Sequence, residues 1–260
     1  MGFKIKLTSL KVIGFLGIAS FVCYCYYRMK ELFQGVYVLF LTKQETSHFL
    51  LRDEDGYNAS LSAPDLYARK MKSHEEYRIY SAFHVVDFTE EQKQILEKAV
   101  EKAHLFFQQT ILPFIDKQRM GAMLWKIALT KNNTYEDGLP HTRADIIFLT
   151  PKIIALPEAQ LVKTLIHERV HIYQRVHQDV FQQVLQQQGY KVWRERKGYP
   201  LIRSNPDLDR YIYQTPTGEI MVTVYTSAEP HHIQDTMQPN DLKEHPYEEI
   251  AYTIANKYIM

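Results

Sequence analysis

Thiols are almost absent from this chain. Its 260 residues hold two cysteines, and both, Cys23 and Cys25, fall inside one apolar stretch near the N-terminus. A pair spaced two residues apart suits neither a zinc site nor a disulfide, so the rest of the chain has no staple of its own and cysteine usage does not fix its redox compartment. Excess charge is missing too: 31 Lys and Arg face 30 Asp and Glu, for a net charge of +1. That excludes the overall basic bias of nucleic-acid binding, and no nucleic-acid partner is expected. No internal repeat or low-complexity tract is present. Disorder is excluded in turn, because 45% of the residues are hydrophobic and 18 Tyr and 13 Phe are available to a core.

The charge that exists is unevenly placed. Residues 1–43 carry six basic groups (Lys4, Lys6, Lys11, Arg28, Lys30, Lys43) and one acid, Glu31, and the remainder of the chain has a net negative charge. The basic groups bracket the uncharged run Val12 to Tyr27, slightly short of the roughly 17–25 residues that a spanning helix uses. Lys11 and Arg28 are able to snorkel, and Tyr24, Tyr26 and Tyr27 suit an interface. The expectation is an N-terminal transmembrane helix acting as a single-pass anchor, with a cleaved signal peptide and a buried helix as the open alternatives. The lysines ahead of the run favour a cytoplasmic N-terminus, which puts the following domain in the lumen or outside the cell. The domain plan is then 1–43 membrane anchor and flanks, 44–62 polar linker, and 63–260 catalytic domain. Gly35 to Leu41 is too short to span alone and either extends the anchor or packs as a strand.

Local signals fill in the domain. Pro64 to Phe83 reads as a helix. Thr89-Glu-Glu-Gln is a capping box that starts a helix running to about Gln109. Met123 to Thr130 alternates as a strand does, Asp137-Gly138 marks a turn, and Ala144 to Leu149 reads as a second strand. Tyr211 to Gln214 and Glu219 to Tyr225, joined by Thr-Pro-Thr-Gly, suggest a hairpin.

The chemistry lies in His167-Glu168-Arg169-Val170-His171, an H-E-x-x-H pattern. It falls in an apolar-periodic segment in which Leu161, Val162, Leu165, Ile166, Val170 and Tyr173 form one side of a helix. Pro157 and Glu158 supply its start and Gly189 a stop. Histidines four apart stand one turn apart on the same face, so both imidazoles reach one Zn2+. The glutamate between them is placed to take a proton from water.

A catalytic zinc keeps three protein ligands, and two regions compete for the third. His177 has the spacing H-E-x-x-H-x-x-Q-x-x-H, yet Gln174 is a good helix former. If the helix continues, His177 points away from the metal. The other region is His245 to Ala255, where Asp241 or His245 before Pro246 reads as a helix start and Glu248 falls in the first turns. H-E-x-x-H with a later glutamate on a second helix resembles the gluzincin pattern of zinc metallopeptidases. Glu248-Glu249-Ile250-Ala251 is similar to the third-ligand helix of several bacterial and phage zincin-like domains, and Tyr173-Gln174 and the Pro-x-Glu entry are similar as well. The resemblance covers only about residues 161–175 and 245–255, and Tyr252 stands where the thermolysin-like branch has an Asp.

The resemblance implies an α+β zincin-like domain whose small antiparallel or mixed sheet packs on the H-E-x-x-H helix, with an edge strand docking the substrate backbone. It implies zinc ligands His167, His171 and Glu248, with Glu249 as fallback, Glu168 as general base, and a peptide or protein substrate. The oxyanion-stabilising group is open among His141, Tyr213, His231, His232 and Tyr252. Two rivals remain: a zinc-binding module with a structural or binding role and no catalysis, and a metal-free helical membrane protein.

Overall fold

The computed structural model describes residues 37–239 and 242–259. The chain enters through strand β1 (Val38–Phe40) and helix α1 (Lys43–Arg52), then α2 (Ala63–Ala68), α3 (His74–Phe83), the long α4 (Glu90–Gln109) and α5 (Lys117–Ala122). Strands β2 (Trp125–Leu129), β3 (His141–Arg143) and β4 (Ile146–Leu149) lead to α6 (Pro151–Ile154), α7 (Glu158–Val176) and α8 (Gln178–Gln187). Short strands β5 (Lys191–Glu195), β6 (Tyr211–Gln214), β7 (Ile220–Met221), β8 (Val224–Tyr225) and β9 (Thr236–Met237) precede the last helix, α9 (Pro246–Ala255).

Helix starts follow their capping chemistry. Thr42 with Glu45, Ser62 with Asp65, and Thr89 with Gln92 form reciprocal boxes that satisfy orphan N–H groups at the starts of α1, α2 and α4. The helix expected over 64–83 is two helices. Lys70 adopts a left-handed φ of 61° after α2, and the Ser73 side chain caps α3 afresh. The expected 211–225 hairpin is likewise divided: β6 pairs β7, while β8 turns away to pair β9.

The main sheet has the order β1-β2-β4-β3, with β1, β2 and β4 parallel and β3 antiparallel at one edge. Parallel neighbours need long crossovers, and here all of α1 to α5 lies between β1 and β2. Ile127, Ala128, Ile147, Phe148 and Leu149 are fully buried, as strands covered on both faces require. Helix α7 packs against α9, α4 and β3, which fixes the H-E-x-x-H segment between a helix layer and the sheet.

The expected fold is corrected here. Among the described residues the fold is α+β, and no helix is long and apolar enough to cross a membrane. The longest, α4, has the length but is amphipathic, burying Leu96, Ala99, Val100, Ala103, Phe106 and Phe107 while its other face carries Glu and Lys. The Val12 to Tyr27 run, with Cys23 and Cys25, lies outside the described residues. The folded unit begins earlier than the domain plan has it. Val38–Phe40 is paired in register with Trp125–Ile127, and residues 44–62 hold α1 and a 3-10 turn at Asn58–Ser60 in place of a linker. Residues 144–149 do not form an edge either, since β4 is sandwiched between β2 and β3.

Candidate metal centre

Helix α7 places its two histidines by packing. Leu161, Val162, Leu165, Ile166, Val170, Ile172 and Tyr173 are all buried. Arg169, between the histidines, is buried as well, stacked 4.4 Å from the Trp125 ring centroid. It donates to the carbonyls of Leu124, Met120 and Met123. It thus closes the C-terminal end of α5, where carbonyls lack helical partners. Burial lowers its guanidinium pKa to about 9.

The second element is α9. His245 is its N-cap: ring Nδ1 accepts from the Tyr247 backbone N–H at 3.1 Å, Nε2 lies 3.2 Å from Asp209 Oδ1, and Pro246 occupies the first turn. Ala251 and Ala255 are buried, and such small side chains let α9 approach α7 closely. Gln174 ties the two helices, since its Nε2 donates to the Tyr247 carbonyl at 3.1 Å.

These contacts bring three donors together. His167 Nε2 is 3.0 Å from His171 Nε2 and 3.4 Å from Glu248 Oε2, and His171 Nε2 is 3.7 Å from Glu248 Oε1. Ligands about 2.0–2.1 Å from a tetrahedral zinc are about 3.3 Å from one another, so the spacing fits such an ion. Two imidazole nitrogens and a carboxylate oxygen are also a donor set that zinc accepts in catalytic sites.

The surroundings orient the donors. His171 is fully buried, and its Nδ1 donates to Gln174 Oε1 at 2.9 Å, leaving the Nε2 lone pair for a metal. Burial pushes the His171 pKa down, which keeps the imidazole neutral. Burial pushes the Glu248 carboxyl up, but His171, His167 and the Asn205 amide, whose Nδ2 donates to Oε1 at 2.9 Å, outweigh it and hold the pKa at about 2. The carboxylate is therefore ionised. Asn205 also donates to Glu244 Oε1, which Arg203 pairs at 2.6 Å.

Glu168 sits beside the donors and is not one of them. It is 3% exposed, and its Oε2 has no hydrogen-bond partner. Burial pushes its pKa well up, and the nearby carboxylates of Asp207 and Glu248 push the same way. A cation at the donor cluster would act in the opposite sense. Glu168 faces a cleft of about 470 Å³ whose walls include His167, Glu248, Tyr252, His141 and Asn205.

The other sequence candidates are now placed. Helix α7 stops at Val176 and His177 is the joint into α8, with its ring 4.5 Å from that of Tyr173 and outside the donor cluster. Glu249 accepts from the Tyr190 hydroxyl at 2.8 Å and lines a different cavity. Of the oxyanion candidates, Tyr252 and His141 line the cleft. The Tyr252 ring lies 4.4 Å from that of His167, and His141 is stacked on Phe148 at 5.1 Å. Tyr213 is buried elsewhere, held by Gln182 and Asp209, and His231 and His232 lie outside the cleft wall. The strand edge beside the cleft is β3, and its Thr142 N–H already donates to Asp207 Oδ1 at 2.6 Å. Addition of a substrate strand cannot use that N–H.

Gln174, Asn205 and Asp207 have no place in the motif. Only Gln174 has a local signal, as it stands three residues after His171 on the same helical face. Comparison with family models, with curated proteins and with solved structures finds no match, so the likeness to gluzincins rests on the residues named above and the chain is assigned to no family.

Proposed function

We propose that this protein is a zinc-dependent hydrolase that cleaves peptide bonds. The observation carrying this reading is the convergence of His167, His171 and Glu248, of which His167 and Glu248 line a cleft shared with Glu168, an unpartnered carboxyl. When bound there, the cation would supply Lewis-acid polarisation of a substrate carbonyl and lower the pKa of coordinated water toward about 7.

The chain supplies the rest. Glu168 takes the proton of the attacking water on its carboxylate and returns it to the leaving amine. The cleft wall keeps most solvent from Glu168, which leaves its basicity responsive to the charge beside it. Tyr252 sits across the His167 ring and is 44% exposed, so its hydroxyl can turn to a substrate oxygen. Gln174 and Asn205 hold His171 and Glu248 in place while protons move.

A non-catalytic module is the second reading. It is favoured by the full burial of His171 at the junction of α7 and α9, where a metal would also join two helices. Glu168→Gln separates the two. It keeps the side-chain shape and removes the base, so the hydrolase reading expects zinc to stay bound while turnover of a broad peptide library falls at least about 100-fold. A wild-type chain that holds zinc and cleaves no peptide, and that changes only in melting temperature on chelation, supports the structural module instead.

A further inference from the structure

Apart from Glu168, the acids that line the cleft are held by partners within the fold. Glu136 is clamped by Arg69 at 2.5 Å, Glu244 by Arg203, Asp207 by Thr142, and Glu248 by the donor cluster and Asn205. Two lysines of the same cleft are not. Lys163, one turn before His167 on α7, and Lys243, on the segment that leads into α9, line the cavity and form no ion pair among the described residues. The Lys243 ammonium lies 4.1 Å from the centroid of the Tyr252 ring, the ring packed on His167. An ammonium on an aromatic face keeps N–H groups free for an anion. Two cations without an ion-pair partner therefore stand in the cleft wall beside the proposed centre.

We infer that the cleft selects substrates bearing a carboxylate near the bond presented to Glu168, received by Lys163 and Lys243. This rests on the peptide-hydrolase reading for the nature of the substrate. The carboxylate comes either from an acidic side chain or from the C-terminus of a peptide, and the chemistry at the lysines is the same. Coulomb attraction in a partly enclosed cleft, with charge-assisted hydrogen bonds, is enough for about ten-fold discrimination.

The test uses the full chain freed of metal with a chelator, so that a carboxylate cannot bind by ligating the ion. Four dansylated peptides of one sequence carry Glu or Gln at one position and a free or amidated C-terminus, and binding is followed by fluorescence anisotropy. The expected result is about ten-fold tighter binding for at least one of the two carboxylates, weakening with added salt. The preference should shrink toward unity in Lys163→Gln and Lys243→Gln and return in Lys163→Arg. Comparing the two arms assigns the carboxylate to side chain or terminus. Equal or absent binding of all four peptides overturns the inference, as does a preference that both Gln variants retain. The readout needs no cleavage, so a chain that prefers carboxylate peptides and never hydrolyses them would refute the hydrolase reading alone.

Discussion

Replacing Gln174 by Leu removes two buried hydrogen bonds while nearly conserving volume. Gln174 accepts from His171 Nδ1 at 2.9 Å and donates to the Tyr247 carbonyl at 3.1 Å, and the side chain is fully buried. Leucine leaves the Nδ1–H unsatisfied and removes the second of two bonds to a carbonyl that α9 already pairs through its own helical N–H. One such orphaned group costs about 1–3 kcal/mol, so the folded state should lose about 1–2 kcal/mol once the added apolar contact of Leu is set against the loss. The metal should suffer separately. Losing the partner that fixes the ring and tautomer of a metal histidine lowers affinity by about 10–100-fold. Gln174→Glu restores the acceptor for Nδ1 but not the donor to Tyr247, so it should recover most of the affinity and less of the stability. Urea denaturation of the metal-free chain reads the first quantity, and competition with a chromophoric chelator reads the second. A Leu variant that binds zinc as tightly as wild type would refute the assignment of Gln174 to His171, even if its stability falls as expected.

Two further perturbations probe the framework of the site. Arg169→Met removes the donor to three carbonyls at the end of α5 and should cost about 3 kcal/mol or more by denaturant unfolding; a loss below about 1 kcal/mol would mean those carbonyls find other partners. His141 is buried with its pKa pushed down by burial, so the unfolded chain takes up its proton more readily. Its contribution to stability is complete above the unfolded value of about 6.5 and lost as pH falls through that value toward the folded one. The melting temperature of the metal-free chain should therefore fall between pH 7 and 5 less steeply in His141→Phe, which keeps the stacking on Phe148; identical slopes would contradict this.

What the sequence discloses about the site is what lies within one helical turn. The spacing of His167 and His171, the acid between them, and the Pro246 start that places Glu248 in a first turn are local, and periodicity reads them directly. The choice of Glu248 over Glu249 is also helical phase, because neighbouring residues face about 100° apart. The remainder depends on long-range pairing. Nothing near Val38 announces that it aligns with Trp125, and nothing near Asn205 announces that it reaches Glu248. The segment 44–62 looks like a linker because its residues are polar, yet capping by Thr42 and burial of Thr46 and Leu50 make part of it a helix. His177 was distinguishable from a ligand only by phase. The helix in fact ends there, but the break carries His177 toward Tyr173 and not toward the donors.

The central claim is that His167, His171 and Glu248 hold one cation between α7 and α9. The most direct measurement is elemental analysis of the full chain after zinc loading and exhaustive dialysis, set beside His171→Ala, Glu248→Ala, Glu249→Gln and His177→Ala, with circular dichroism to confirm that each folds. The account predicts about one zinc per chain in the wild type, Glu249→Gln and His177→Ala, and little or none in folded His171→Ala and Glu248→Ala. A folded wild-type chain without zinc, or stoichiometry that survives loss of both His171 and Glu248, would contradict it.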